Sequence, residues 1–141
     1  MLKYALLGIF VPSALSKFVP GVMTKMWPSL PSWFWLPCGI WEAAGTYLVY
    51  TGDYEKGLPL MFSFLGGVMY AIMTLPMNKG KTMLQDVGPG AYVPAALGSG
   101  TVMIIADRAG INPVKTMVIS MMVGWVIGSL MPLSVVERKK K

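Results

Sequence analysis

The chain has 141 residues, of which 55% are hydrophobic and only 13% are charged, and its mean hydropathy is +0.59. A water-soluble domain has to face water with polar groups, so this composition excludes an ordinary soluble domain and predicts an all-α integral membrane protein. The formal charge of +6 does not indicate a nucleic-acid partner, because the basic residues are spread over short loops and one tail instead of lining one helix face.

Residues that carry chemistry are scarce. Cys38 is the only cysteine, and the sequence contains no histidine. A single cysteine excludes an internal disulfide framework, a zinc cluster and a CxxC redox pair. The lack of histidine removes the commonest haem and metal ligand and the commonest general base. We therefore predict no metal site and assign no catalytic residue.

Apolar segments separated by short polar breaks occupy the whole chain. A helix needs about 20 residues to cross the hydrocarbon core, and five candidate spans are predicted near residues 2–19, 33–51, 58–77, 92–106 and 114–135. The fourth is short, and it either crosses with little tilt or is re-entrant. Breaks such as Gly52-Asp53, Gly88-Pro89-Gly90 and Gly110 to Pro113 contain turn residues. None is long enough for a second domain, so residues 1–141 are predicted to form one membrane bundle.

The second span carries an acidic residue, Glu42, in the middle of an apolar stretch. A carboxylate at that depth costs roughly 2.5 kcal/mol or more, so we expect it to face protein or trapped water instead of lipid. Lys17 lies near the end of the first span, and a hairpin between the two spans brings it within reach. The sequence therefore predicts a buried polar pair of Glu42 and Lys17. A structural role is favoured over proton transfer, quinone binding or ligation of a pigment metal, because one acid and one base make weak catalytic equipment.

Small and aromatic residues of the second span predict where it contacts other helices and where it meets the membrane surface. Gly39 and Gly45 flank Glu42 and are expected to let neighbouring helices approach closely. The aromatic residues near its two ends are typical of anchors at the membrane–water interface: Trp33, Trp35 and Trp41 at one end, and Tyr47, Tyr50 and Tyr54 at the other.

The fifth span has small residues at intervals of four, which places them on one helical face: Thr116, Ser120, Gly124 and Gly128. Such a face lets two backbones approach and gains dispersion contacts that lipid does not match. Bulky residues lie opposite, among them Met122, Val126 and Leu130. The third span has a shorter stripe of Ser63, Gly67 and Ala71. The pattern predicts either helix packing within the chain or docking onto a partner.

The distribution of basic residues predicts the orientation of the chain in the membrane. With five spans, four basic residues fall on one side: Lys3, Lys56, Arg108 and Lys115. Eight fall on the other side: Lys17, Lys25, Lys79, Lys81 and residues 138–141. The positive-inside rule then places the carboxyl terminus inside, and the basic tail is expected to bind anionic lipid. The thylakoid, the mitochondrial inner membrane and the endoplasmic reticulum remain alternatives for the location.

Two stretches carry a family resemblance. The first span closes on Ser13-Ala14-Leu15-Ser16-Lys17-Phe18, and the second contains Cys38-Gly39-Ile40-Trp41-Glu42-Ala43-Ala44-Gly45 and ends at Thr51-Gly52. This resembles the DoxX-like family of small four-helix membrane proteins, over roughly the first hundred residues. The resemblance implies a four-helix membrane bundle, to which this chain adds a fifth span. The family includes quinone-linked thiosulfate-oxidising subunits, partners of redox complexes and membrane chaperones, so it implies a fold more than an activity.

From these features we expect a small, non-catalytic accessory or assembly subunit of a larger membrane-embedded complex, of the redox or photosynthetic kind. The expected partners are membrane lipids and other integral membrane subunits. One alternative is a quinone- or sulfur-linked oxidoreductase subunit that uses Glu42, and another is a membrane chaperone or trafficking factor. No cofactor is firmly predicted, and a quinone, a pigment and a structural lipid are the candidates.

Overall fold

The computed structural model describes residues 2–19, 21–22, 25, 34–75 and 81–130. Within these ranges the chain is helical and contains no strand. In chain order the helices are α1 (Leu2–Ser16), α2 (Trp35–Thr51), α3 (Tyr54–Thr74), α4 (Met83–Val87), a 3-10 helix (Gly88–Tyr92), α5 (Val93–Arg108) and α6 (Pro113–Leu130).

Three helical stretches are long and apolar enough to cross a membrane, namely Tyr54–Thr74, Met83–Arg108 and Pro113–Leu130. Helices α1 and α2 are shorter, with 15 and 17 residues. The all-helical fold is thus compatible with an integral membrane protein. The predicted span ends at residues 33, 77 and 135, and the basic tail 138–141, lie outside the described residues.

The fourth apolar stretch is longer than the sequence indicates, since it covers 26 residues from Met83 to Arg108. It begins with a capping box, in which the Thr82 hydroxyl accepts from the Gln85 amide at 3.1 Å and the Gln85 side chain accepts from the Thr82 amide at 3.0 Å. At the Gly88-Pro89-Gly90 break α4 ends, since Gly88 has a φ of 79°, and a 3-10 helix leads from there into α5. Proline fits this position because the first turn of a helix does not use its missing N–H.

Two glycine turns set the directions of the helices that follow. Gly52 ends α2 with a φ of 92°, and the Asp53 amide donates to the Leu48 carbonyl at 2.9 Å. Gly110 ends α5 in the same way, with a φ of 79°. Left-handed backbone of this kind is favourable for glycine, and it satisfies carbonyls at the helix end. Asn112 then caps α6, because its side-chain oxygen accepts from the Lys115 amide at 3.0 Å.

Helix α3 lies at the centre of the packing. It contacts α2, α5 and α6, while α1 contacts α2 and α5. Half of the residues in the apolar window of α3 are buried (50%), against 11% for α6. The main core therefore lies between α1, α2, α3 and α5, and α6 lies on the outside of α3. The largest fully buried core side chains are those of Leu6, Leu58, Met61 and Phe62.

Candidate functional site

The structure brings Lys17 and Glu42 together. Lys17 lies in the turn directly after α1, where the Lys17 amide donates to the Ala14 carbonyl at 3.1 Å. Glu42 lies in the middle of α2. The Lys17 Nζ atom is 2.9 Å from Glu42 Oε1, and the two side chains are only 8% and 1% exposed. The pair is therefore a salt bridge inside the protein, away from the lipid-facing surface.

The two glycines beside Glu42 allow this arrangement. A Cβ atom at Gly39 would lie 2.9 Å from the Phe18 ring and 3.2 Å from the Lys17 Cβ atom. The turn after α1 thus lies directly against α2, and this close approach delivers Lys17 to Glu42. Gly45 has a similar role toward α3, because a Cβ there would lie 2.7 Å from the Met61 sulfur.

Ser13 completes the polar group, and the sequence analysis did not assign it a role. Its hydroxyl donates to Glu42 Oε1 at 3.1 Å, while Lys17 Nζ donates to the Ser13 hydroxyl and to the Ser13 carbonyl, each at 3.1 Å. The sequence spacing of Ser13 and Lys17 indicates their proximity, since residues four apart share a helix face. Lys17 Nζ also lies 5.4 Å from the centre of the Phe64 ring, a distance typical of a cation–π contact.

A cavity of about 370 Å³ adjoins this polar group, and we call it the Glu42 cavity. Helices α1, α2, α3 and α5 all contribute to its wall, and Ser13, Lys17 and Glu42 lie in that wall. Most of the remaining lining is apolar or aromatic and includes Phe34, Trp35, Trp41, Phe64 and Tyr70. The arrangement is an apolar chamber with one concentrated set of polar atoms.

The predicted interface anchors divide into two groups. Tyr47 and Tyr50 are 66% and 41% exposed, whereas Tyr54 is half-buried against the core. The prediction is wrong for Trp35, which is 7% exposed, and for Trp41, whose indole nitrogen donates to the Leu60 carbonyl of α3 at 3.1 Å. Both tryptophans line the Glu42 cavity, where burial of their large apolar rings is favourable. Trp33 lies outside the described residues.

The small-residue face of α6 lies against α3 of the same chain. Ser120 and Gly124 are the buried residues of α6, and a Cβ at Gly124 would collide with the Ser63 carbonyl. Thr116 and Gly128 are half-buried on the same side, with Gly128 beside the Tyr70 ring. Packing within the chain is thus seen at Ser120, Gly124 and Gly128, while docking onto a partner stays a prediction.

The remaining candidate ligands for a metal ion are the acidic side chains and Cys38. Within the described ranges no group of three or more His, Cys, Asp or Glu side chains could hold a metal ion. Cys38 is a free, half-buried thiol in the cavity wall.

Comparisons with protein-family models, with curated proteins and with solved structures found no match to this chain.

Proposed function

We propose that this chain is a non-catalytic membrane subunit that binds a small apolar ligand in the Glu42 cavity. The observation that carries the proposal is the cavity itself, with a volume of about 370 Å³. Small-molecule sites are typically clefts of roughly 300–1,000 Å³, lined by apolar and aromatic side chains with a few convergent polar groups. The Glu42 cavity has this size and this composition.

The polar group suits binding better than chemistry. Lys17 and Glu42 neutralise each other at 2.9 Å, and Ser13 is hydrogen-bonded to both. Groups held in this way are fixed in position, and fixed polar groups in an apolar wall orient a ligand. A cavity of about 150 Å³ accommodates benzene, so this larger one has room for a ring system with a short substituent.

The family resemblance adds to the proposal. We propose that α1, α2, α3 and α5 correspond to the four helices of the DoxX-like fold and that α6 is an added fifth span. The closed set of contacts among the first four supports this correspondence. The orientation with the carboxyl terminus inside is also retained. Lys17 no longer counts as a loop charge, because it is paired inside the protein, and seven basic residues remain against four.

Cavity filling tests the binding proposal. Ala95 is buried in the cavity wall, whereas its neighbour Ala96 is exposed on the same helix. Each variant, Ala95→Leu or Ala96→Leu, adds the same three carbon atoms. The protein is purified in mild detergent, and the bound small molecules are identified and counted by mass spectrometry. We expect one species near one equivalent in the wild type and in Ala96→Leu, and its loss in Ala95→Leu. Equal amounts in all three proteins would contradict the proposal.

A second candidate is the accessory or assembly subunit of a larger redox or photosynthetic membrane complex. The specific observation is the outward face of α6, on which Met122, Val126 and Leu130 are 64%, 53% and 78% exposed. Helix α6 is attached to the rest of the chain along one face, and the rest of its surface is free for lipid or for another membrane subunit.

Substitutions on two outward faces test the second candidate. Met122→Trp adds bulk on α6, and Met73→Trp adds the same bulk on α3, where Met73 is 40% exposed. Bulk at a closely packed helix interface disrupts the contact, while lipid tolerates it. We expect Met122→Trp to lower co-purification of native membrane partners and Met73→Trp to leave it unchanged, at equal membrane levels. Identical partner recovery from both variants would argue against a partner on α6.

A further inference from the structure

We propose that a groove between α3 and α6 binds a phospholipid whose headgroup carries a net negative charge. The groove shares no lining residue with the Glu42 cavity, so the proposal does not depend on the ligand of that cavity. It rests on the position of the groove, on the charge at one end of it and on the apolar wall that follows.

The groove lies along the contact of α3 with α6. It is open, has a volume of about 680 Å³, and is called the α3–α6 groove below. Its wall contains residues of α3 between Lys56 and Ser63 and residues of α6 between Lys115 and Val123. Both stretches start in the first turn of their helix, so one end of the groove lies where α3 and α6 begin. From there it follows α3 for about 10 Å, or roughly two helical turns.

The end at which both helices begin is positively charged. Lys56 and Lys115 line it from two different helices. Asp53 lies 3.9 Å from Lys56 Nζ, but the two side chains are 40% and 78% exposed, and exposed ion pairs of this kind contribute little. Lys115 belongs to neither of the two ion pairs that the described residues form. Both ammonium groups are therefore able to bind a further anion.

The remainder of the groove suits a hydrocarbon chain. Leu60, Ile119 and Val123 line it further along the helices. The stretches Tyr54–Thr74 and Pro113–Leu130 are both long and apolar enough to cross a membrane, so in a bilayer this part of the groove meets acyl chains. Charge at the helix ends, followed by an apolar wall, is the order in which a phospholipid presents its anionic headgroup and its chain.

The charge of the headgroup decides which phospholipid binds. Basic pockets between membrane helices hold anionic headgroups, and one lysine near the membrane surface favours an anionic lipid by about fivefold. A zwitterionic headgroup gains less, because its own cationic group is repelled by Lys56 and Lys115. The α3–α6 groove is therefore expected to select by net headgroup charge.

A matched pair of lipids tests the proposal on the wild-type protein. Dioleoylphosphatidylglycerol and dioleoylphosphatidylcholine have the same acyl chains, and only the first has a net negative charge. The protein is purified in mild detergent and titrated with each lipid, and the bound lipids are counted by native mass spectrometry. We expect the phosphatidylglycerol to bind about 20-fold more tightly, as two lysines acting together imply. Equal binding of the two lipids would overturn the proposal.

Two double variants locate the charge effect. Lys56→Gln/Lys115→Gln should lower the preference for phosphatidylglycerol to about twofold or less. Lys3→Gln/Arg108→Gln removes the same charge from two exposed residues outside the groove and should keep the preference. An equal loss in both double variants would assign the preference to general surface charge and overturn the site.

A second pair of variants locates the acyl chain. Val123 lines the groove, whereas Val118 is 46% exposed and lies outside it. Val123→Trp fills the apolar wall and should weaken phosphatidylglycerol binding about tenfold, while Val118→Trp adds the same bulk and should leave it unchanged. Identical binding by these two variants would overturn the assignment to the groove.

Two further measurements separate this site from other sources of the same signal. Millimolar glycerol 3-phosphate should not displace the bound phosphatidylglycerol, and complete displacement would show a site for free phosphate instead of a lipid. Ala95→Leu, in the wall of the Glu42 cavity, should leave the lipid preference intact. Its loss in that variant would place the lipid in the Glu42 cavity and overturn the proposal.

Discussion

The contact of α6 with α3 and the contact of α1 with α2 are built in opposite ways. In the first, Gly124 lies against the Ser63 backbone and Gly66 lies against the Met121 backbone. In the second, a salt bridge of 2.9 Å joins Lys17 and Glu42 beside a cavity of about 370 Å³. The first contact depends on backbone approach, and the second adds a charge pair beside an open space to the close approach at Gly39.

The difference shows two solutions to one physical problem. In a bilayer, burial of apolar surface does not drive helices together, since lipid is equally apolar, so close packing or polar bonds must do so. Close packing needs backbones that nearly touch, and this leaves no room between them at the points of contact. Polar bonds act through side chains of some length, so they can hold helices around a chamber. For this reason the charged side chains can join α1 and α2 beside a cavity, whereas the backbones of α3 and α6 meet directly at Gly66 and Gly124.

The largest effect is expected at the polar contact. Lys17→Met removes the partner of a carboxylate that is 1% exposed, and an uncompensated buried charge costs about 3–5 kcal/mol. We expect the free energy of unfolding, measured by titration with denaturing detergent, to fall by about that amount. Lys3→Met, at an exposed lysine of α1, should change little. Lys17→Met/Glu42→Leu should recover most of the loss, and a double variant as unstable as the single one would contradict the charge argument.

A smaller but clear effect is expected at the closed contact. Gly124→Leu places a side chain where the Ser63 carbonyl lies, and overpacking costs about 1–3 kcal/mol. The variant should still insert into the membrane, because transfer of a leucine side chain into the bilayer is favourable. Helix α6 should, however, separate from α3. Gly100→Leu is the control, since a Cβ at Gly100 has no neighbour within 4 Å. Limited proteolysis of the α5–α6 turn should be faster in Gly124→Leu than in Gly100→Leu, and equal rates would mean that this contact carries little stability.

The smallest effect is expected at Ser13. Ser13→Ala removes a hydroxyl that bonds both Lys17 and Glu42 at 3.1 Å but leaves the salt bridge in place. Interhelical hydrogen bonds in membranes contribute about 0.6–1 kcal/mol, so the unfolding free energy should fall by roughly that amount. Ser129→Ala removes a hydroxyl bonded only within α6 and serves as the control. A loss of several kcal/mol in Ser13→Ala would show that the hydroxyl, and not the charge pair, organises this contact.

The sequence was informative about local features and about the pairing of charges. The turns at Gly52-Asp53 and Gly110 to Pro113 lie where the residues predict them, because glycine, asparagine and proline act through their own backbone geometry. The partner of Glu42 was also predictable, since Lys17 lies near the end of the first span and a hairpin brings that end close to the second span. The same reasoning failed for Trp35 and Trp41, because an aromatic ring near a span end is equally suited to an interface and to an interior wall.

By itself, the amino-acid sequence determined the helical class, the approximate positions of the helices, the need for a partner at Glu42 and the stripe of small residues on α6. Only the tertiary structure decided that this stripe faces α3, that Ser13 joins the charge pair and that a cavity remains beside Glu42. The physical reason is that periodicity places residues on a face of one helix, whereas the space between helices depends on how all of them pack. A cavity is the volume that several helices together leave unfilled, so no single span contains the information for it.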